Sequence, residues 1–284
     1  MSKSIPITDG ALMAWHWWKK HILTPPGVQV SLVFLLVIVV SAWLAPREVS
    51  EPGRIRSITL QILLVCGTPF LAGKLVGLKL DSFYKLQPIS ALQSVLAILL
   101  GLCLISWLEE VQYLQVQVSG EADQLEQQAR SWLQISSYWD LIWILLSMAI
   151  IPAICEEFLF RGFILHQLLA PGHSARAVLV SAVMFGLFHR HFFLFFPGIL
   201  AGILFALMVI RSGSLLTAIL AHFTVNASAI VVSNWKINTS FSWLSQATPV
   251  PLVVLVLCGF GIIIFSRQLI RRDFQKYGKD NKTK

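Results

Sequence analysis

Trp139 to Leu169 reads WDLIWILLSMAIIPAICEEFLFRGFILHQLL, and both the fold and the chemistry of the chain turn on it. As a single helix its 31 residues would run about 46 Å, ample for a bilayer's hydrocarbon core of about 30 Å. Near its middle stand two adjacent carboxylates, Glu156 and Glu157. An ionisable side chain at the bilayer centre costs at least about 2.5–3.5 kcal/mol, so such groups are paired, hydrated or functional. Of the 14 carboxylates in the chain, only these two lie deep inside an apolar stretch.

The rest of the chain fits the same environment. Of its 284 residues 56% are apolar and only 13% charged, where a soluble domain carries about 25% charge. An ordinary water-soluble enzyme is excluded. Apolar stretches at 28–45, 57–78, 88–108, 139–169, 175–190, 193–210, 214–233 and 250–267 predict an all-α polytopic membrane protein of about eight transmembrane helices. A transmembrane barrel would alternate apolar and polar residues, whereas 28–45 and 250–265 are apolar on every side. Cys66, Cys103, Cys155 and Cys258 lie in apolar runs without a C-x-x-C, so neither a disulfide framework nor a thiolate zinc site is indicated. Cys155 reads as a small buried hydrophobe.

The formal charge of +8 requires no nucleic acid, because it gathers on one side of the membrane. The tail from Arg267 onward holds Arg271, Arg272, Lys276, Lys279, Lys282 and Lys284 and is expected to be cytoplasmic. An even number of spans puts the N-terminus, with Lys3, Lys19 and Lys20, on the same side, and Trp15, Trp17 and Trp18 suggest a tail lying on the membrane surface. Arg47, Arg54 and Arg56 run against this orientation. No cleavable signal is expected, since about 27 residues precede the first span. The polar stretch 109–138, rich in Gln and Glu, reads as a solvated loop. The chain thus divides into 1–138, a core over 139–233, and a last span with its basic tail over 234–284. Its plain form suggests a multi-pass protein of the bacterial cytoplasmic membrane.

Helical spacing assigns different tasks to the two glutamates. Glu157 and Arg161, four apart, can pair on one face, while Glu156 points about 100° away and is the freer general base. His222 and Asn226 are four apart on the seventh span, and Phe185 and His189 on the fifth, where the ring walls the imidazole. Glu156, His189, His222 and Asn226 can therefore meet in one polar catalytic pocket inside the bundle. Such a set suits hydrolysis: a carboxylate takes a proton from water, histidines hold the water or a metal, and N–H groups stabilise the oxyanion. Zinc or another divalent metal on His189 and His222 is reasonable, although Asn is not a usual zinc ligand, and a metal-free glutamate mechanism stays open.

Three motifs carry a resemblance to a known family. Glu156-Glu157-Phe158-Leu159-Phe160-Arg161, followed by Gly162, matches E-E-x-x-x-R-G; Phe185 to His189 matches F-x-x-x-H; His222 to Asn226 matches H-x-x-x-N. Together, in order, they resemble the intramembrane CPBP family of CAAX prenyl proteases and bacteriocin-processing (Abi) proteins, which includes Rce1-type endopeptidases. The resemblance covers about 139–233. It implies a membrane endopeptidase in which Glu156 activates water, His189, His222 and Asn226 position water or metal and stabilise the tetrahedral intermediate, and Glu157 and Arg161 support the site. The implied substrate is a lipidated or membrane-anchored protein or peptide held at the bilayer. A proton-coupled transporter using Glu156, His189 and His222 as a relay, or a non-catalytic immunity or partner protein, are the alternatives.

Overall fold

A computed structural model of the protein describes residues 26–44, 51–75, 85–119, 133–169, 174–189, 192–234 and 249–270. These form eight helices and no strand among the described residues. Helix α1 is Pro26–Leu44. Helix α2 covers 51–75 and contains a π-helical segment, Gln61–Cys66. Then follow α3 (Ala91–Ser119), α4 (Tyr138–Leu168), α5 (Ser174–Phe188), α6 (Phe192–Ser212), α7 (Leu215–Asn234) and α8 (Leu252–Ile270). Six are long and apolar enough to cross a membrane: Gly53–Lys74 within α2, and α3, α4, α6, α7 and α8. The apolar stretch Val30–Ser41 of α1 and the 15 residues of α5 are shorter, the latter reaching only about 22 Å. The chain is an all-α, multi-pass membrane protein.

Local chemistry sets several helix starts. Ser90 and Gln93 form a reciprocal capping box at α3, Gln93 N–H donating to Ser90 Oγ (3.2 Å) and Ser90 N–H to Gln93 Oε1 (2.8 Å). Ser137 caps α4 by accepting from Asp140 N–H at 3.1 Å. The α6–α7 turn passes through Gly213 at φ +72°, a conformation that disfavours a side chain.

Two sequence expectations are corrected. Residues 109–119 continue α3 rather than opening a loop, because neighbouring elements take up their polar groups. Glu110 Oε2 accepts from Val250 N–H (2.7 Å), and Gln115 Nε2 donates to Phe192 O (2.7 Å). Helix α5 stops at Phe188, so His189 occupies the turn at its end and not the interior of a span. The expectations for the N-terminal tail, for 120–132, for Arg47 and for the tail beyond Ile270 lie outside the described residues.

Hydrogen bonds between residues far apart in the chain join helix ends and loops that alternating spans would place on one side. Leu215 N–H donates to Lys85 O (3.1 Å) and Ser214 Oγ to Gln87 O (2.6 Å) at one end of the bundle. At the other, Asn234 Oδ1 accepts from Ile135 N–H (2.7 Å) and Gln115 reaches Phe192. At the latter end the buried Arg54 pairs with Asp140 at 2.9 Å, which ties α2 to α4.

Small residues bring the helices into backbone contact, as membrane interfaces favour. A Cβ on Gly202 of α6 would meet Ala182 Cα of α5 at 2.8 Å, and one on Gly101 of α3 would meet Ala221 O of α7 at 2.7 Å. The core is built on Leu100, Leu104, Phe160, Phe185 and Phe205, while Leu35 and Leu36 of α1 and Leu257 and Phe260 of α8 remain exposed as a lipid-facing surface. Gly202→Val should therefore cost about 1–3 kcal/mol of stability through overpacking. Leu257→Ala should stay within about 0.5 kcal/mol. Thermal unfolding of the two purified variants in one detergent checks both.

Candidate active site

Helix α4 is not uniform. The α-helical segment Ile151–Glu157 lies between π-helical segments Leu145–Ile150 and Phe158–Leu165, so the glutamate pair ends one segment and Arg161 lies in the next. Such widened turns are frequent at functional sites. Glu157 and Arg161 meet as the spacing predicts, Arg161 Nη1 donating to Glu157 Oε1 at 2.8 Å with both side chains fully buried.

The sequence did not show what holds the arginine in place. Its Nη2 donates to Gly202 O on α6 (3.2 Å), and its guanidinium lies 4.4 Å from the Phe185 ring centroid, 5.3 Å from Phe205 and 5.9 Å from Phe160. Desolvated cation–π contacts of this kind can each contribute about 2 kcal/mol. Phe185 was visible as the first residue of its motif. Phe205 and Gly202 lie on a helix that carries none, and no spacing pointed to them.

His222 joins the same network. Its Nδ1 lies 2.9 Å from Glu157 Oε1, the oxygen that already accepts from Arg161. An ionised carboxylate can only accept, so Nδ1 carries the proton and Nε2 is left to face the other glutamate. That nitrogen lies 3.9 Å from Glu156 Oε2, beyond direct hydrogen bonding and within the reach of one bridging oxygen. Phe205 stacks on the imidazole (5.1 Å, 22°) and Phe185 meets it edge-on (5.7 Å, 87°), which fixes the ring plane. Glu156 Oε2 is buried without a hydrogen-bond partner among the described residues.

His189 and Asn226 stand at the edge of this network. His189 Nδ1 donates to Phe185 O at 2.9 Å, leaving Nε2 with its lone pair, and its ring packs against Phe185 (4.9 Å, 84°) as the motif spacing suggested. Phe185 thus touches both imidazoles. Asn226 is half-buried one turn beyond His222, and its side chain makes no hydrogen bond among the described residues. Cys155 packs into the core. For a metal the donor set does not fit. Among the described residues no three His, Cys, Asp or Glu side chains gather as a metal ion needs, and His189 with His222 falls short of a catalytic zinc's three protein ligands.

A family model described as type II CAAX prenyl endopeptidase Rce1-like matches residues 138–228, a segment that contains the two glutamates, Arg161, both histidines and Asn226. No curated protein and no solved structure matches the chain. The network predicts asymmetric energetics: Arg161→Met leaves Glu157 as an uncompensated buried charge and should cost about 3–5 kcal/mol. Glu157→Gln combined with Arg161→Met should recover part of that loss. Melting temperatures of the single and double variants decide it.

Proposed function

We propose that the chain hydrolyses a peptide bond near the membrane surface of a lipid-modified or membrane-anchored protein, with water activated by Glu156, a reading supported by the match of residues 138–228 to the Rce1-like family model of type II CAAX prenyl endopeptidases. The observation that carries this reading is the sharing of His222 between the glutamates, Nδ1 at 2.9 Å from Glu157 and Nε2 at 3.9 Å from Glu156. A structural ion pair needs only Glu157 and Arg161. It does not need an imidazole oriented so that its second nitrogen faces another, unpartnered carboxylate oxygen.

In this mechanism a water lies between Glu156 and His222 Nε2. Glu156 takes its proton as the water oxygen attacks the scissile carbonyl. The Asn226 amide N–H donates to the oxyanion. Glu156 then delivers the proton to the leaving nitrogen as the C–N bond breaks, giving a new carboxyl terminus and a free amine. Glu157 and Arg161 keep His222 oriented and do not touch the substrate. Apolar surroundings exclude bulk water and strengthen each of these contacts. No step runs through a metal.

The same proposal places the protein in a bacterial cytoplasmic membrane with both termini cytoplasmic. The basic tail supports this. A C-terminal reporter active only in the cytoplasm should give signal, and a periplasmic one none.

Glu156→Gln should lower kcat about 10²–10⁴-fold on a lipidated peptide with the protein reconstituted in bilayers, while substrate affinity changes little. In cells, mass spectrometry of membrane-protein C-termini should find truncated species with wild type and none with Glu156→Gln at equal expression. Equal rates and indistinguishable termini would return the case to the transport or partner readings.

A further inference from the structure

Spacing along the chain gives no reason to pair the cysteines, yet the bundle brings all four together in two pairs, each across two helices. Cys66 of α2 shares a hydrogen bond with Cys155 of α4, and Cys103 of α3 with Cys258 of α8. No disulfide joins either pair. Cys258 Sγ also donates to Ser106 Oγ at 3.6 Å, and a Cβ on Gly261 would meet Cys103 Sγ at 2.9 Å. That second pair lies on helices that carry none of the candidate site residues. The first adjoins the site, because Cys155 is the residue before Glu156.

The meeting of Cys66 with Cys155 belongs to a series of contacts that holds α2 and α4 parallel. Arg54 pairs with Asp140 at 2.9 Å, Gln61 Nε2 donates to Ser147 O at 3.3 Å, and further along both helices Cys66 meets Cys155. The segments Gln61–Cys66 and Ile151–Glu157 pack directly on each other. The thiols are therefore opposed by the register of two helices and not by a chance rotamer. Their access differs. Cys155 is buried, whereas Cys66 is half-buried on a helix whose Ile62 and Leu63 are exposed toward lipid. An apolar reagent in the bilayer reaches Cys66 first.

We propose that Cys66 and Cys155 form a reversible disulfide, made by a hydroperoxide dissolved in the bilayer, and that closing it moves Glu156 out of place. The Cys66 sulfur attacks the terminal peroxide oxygen, the O–O bond breaks, and an alcohol leaves with the thiol proton, so that Cys66 becomes a sulfenic acid. The Cys155 sulfur then attacks that sulfur, the S–O bond breaks, and water leaves with the second proton. Two thiols lose two electrons, and the hydroperoxide gains them. A disulfide holds its sulfurs about 2.05 Å apart, well inside any non-bonded contact, so α2 and α4 must draw together at Cys155. Glu156 Oε2 lies 3.9 Å from His222 Nε2, a gap that fits one bridging oxygen. Misplacement by about 1 Å in such an arrangement can cost about 10²-fold in rate. The thiol site stands on the helix contacts, and its effect on turnover rests on the endopeptidase reading.

The test uses the full wild-type chain, reduced, in nanodiscs, and cumene hydroperoxide as the oxidant. Mass spectrometry of a digest without reductant should find the peptides of Cys66 and Cys155 joined, lighter by two hydrogens. Hydrolysis of a lipidated peptide should fall at least about tenfold on oxidation. It should return when tributylphosphine, which enters the apolar phase, reduces the bond. Cys66→Ser should hydrolyse at the wild-type rate before treatment and keep that rate after it, and Cys66→Ala should do the same. Cys155→Ser should stop at a sulfenic acid on Cys66 that dimedone traps. Absence of the Cys66–Cys155 cross-link, a bond confined to Cys103 and Cys258, or a cross-linked protein with an unchanged rate would overturn the proposal. A cross-link in a wild type that hydrolyses the peptide in neither state would keep the thiol site and remove the endopeptidase reading.

Discussion

A carboxylate and a guanidinium, both withdrawn from water inside a helix bundle, are the constraint around which this structure is organised. Isolated buried ions are prohibitively costly, and pairing repays the desolvation only with good geometry and further partners. Glu157 and Arg161 meet that condition with more than each other. The arginine also has Gly202 O and the faces of Phe160, Phe185 and Phe205, while the glutamate has His222. Four helices are committed to one ion pair. The contact of Arg161 with Gly202 O requires α6 to lie close, and close packing of α6 on α5 requires Gly202 itself.

That commitment gives the two neighbouring glutamates different surroundings. Glu157 is saturated on one oxygen by a cation and an imidazole and serves as an anchor. Glu156, one residue away, is turned toward His222 Nε2 without a direct hydrogen bond, and among the described residues the Oε2 of each glutamate has no hydrogen-bond partner. The anchor therefore orients the neighbour of the proposed base, and the aromatic rings that hold Arg161 also fix the plane of His222.

Much of this was legible in the amino-acid order. Long apolar runs gave the helices because a bilayer tolerates backbone only when its hydrogen bonds close within the segment. The four-residue spacings of Glu157 with Arg161 and of Phe185 with His189 gave contacts the structure contains. Where the reading failed, tertiary contacts had overridden local polarity. Glu110 and Gln115 looked like loop residues and are helical, since a backbone amide and a carbonyl from distant elements satisfy them. A uniform 100° per residue on α4 also missed its π-helical segments, which composition does not announce.

The order of residues by itself determined that this is a helical membrane protein and which side chains are too costly in lipid to be idle, because both follow from transfer free energy and from periodicity along one helix. It could not determine that His222 uses Nδ1 for Glu157 and turns Nε2 toward Glu156, that Phe205 stacks on it, or that Cys66 meets Cys155. Those facts depend on how helices cross and rotate against one another. Small residues such as Gly101 and Gly202 and the α6–α7 turn set that packing through contacts between residues far apart in the chain. Such contacts leave no periodic trace in the sequence, and only the folded bundle decides them.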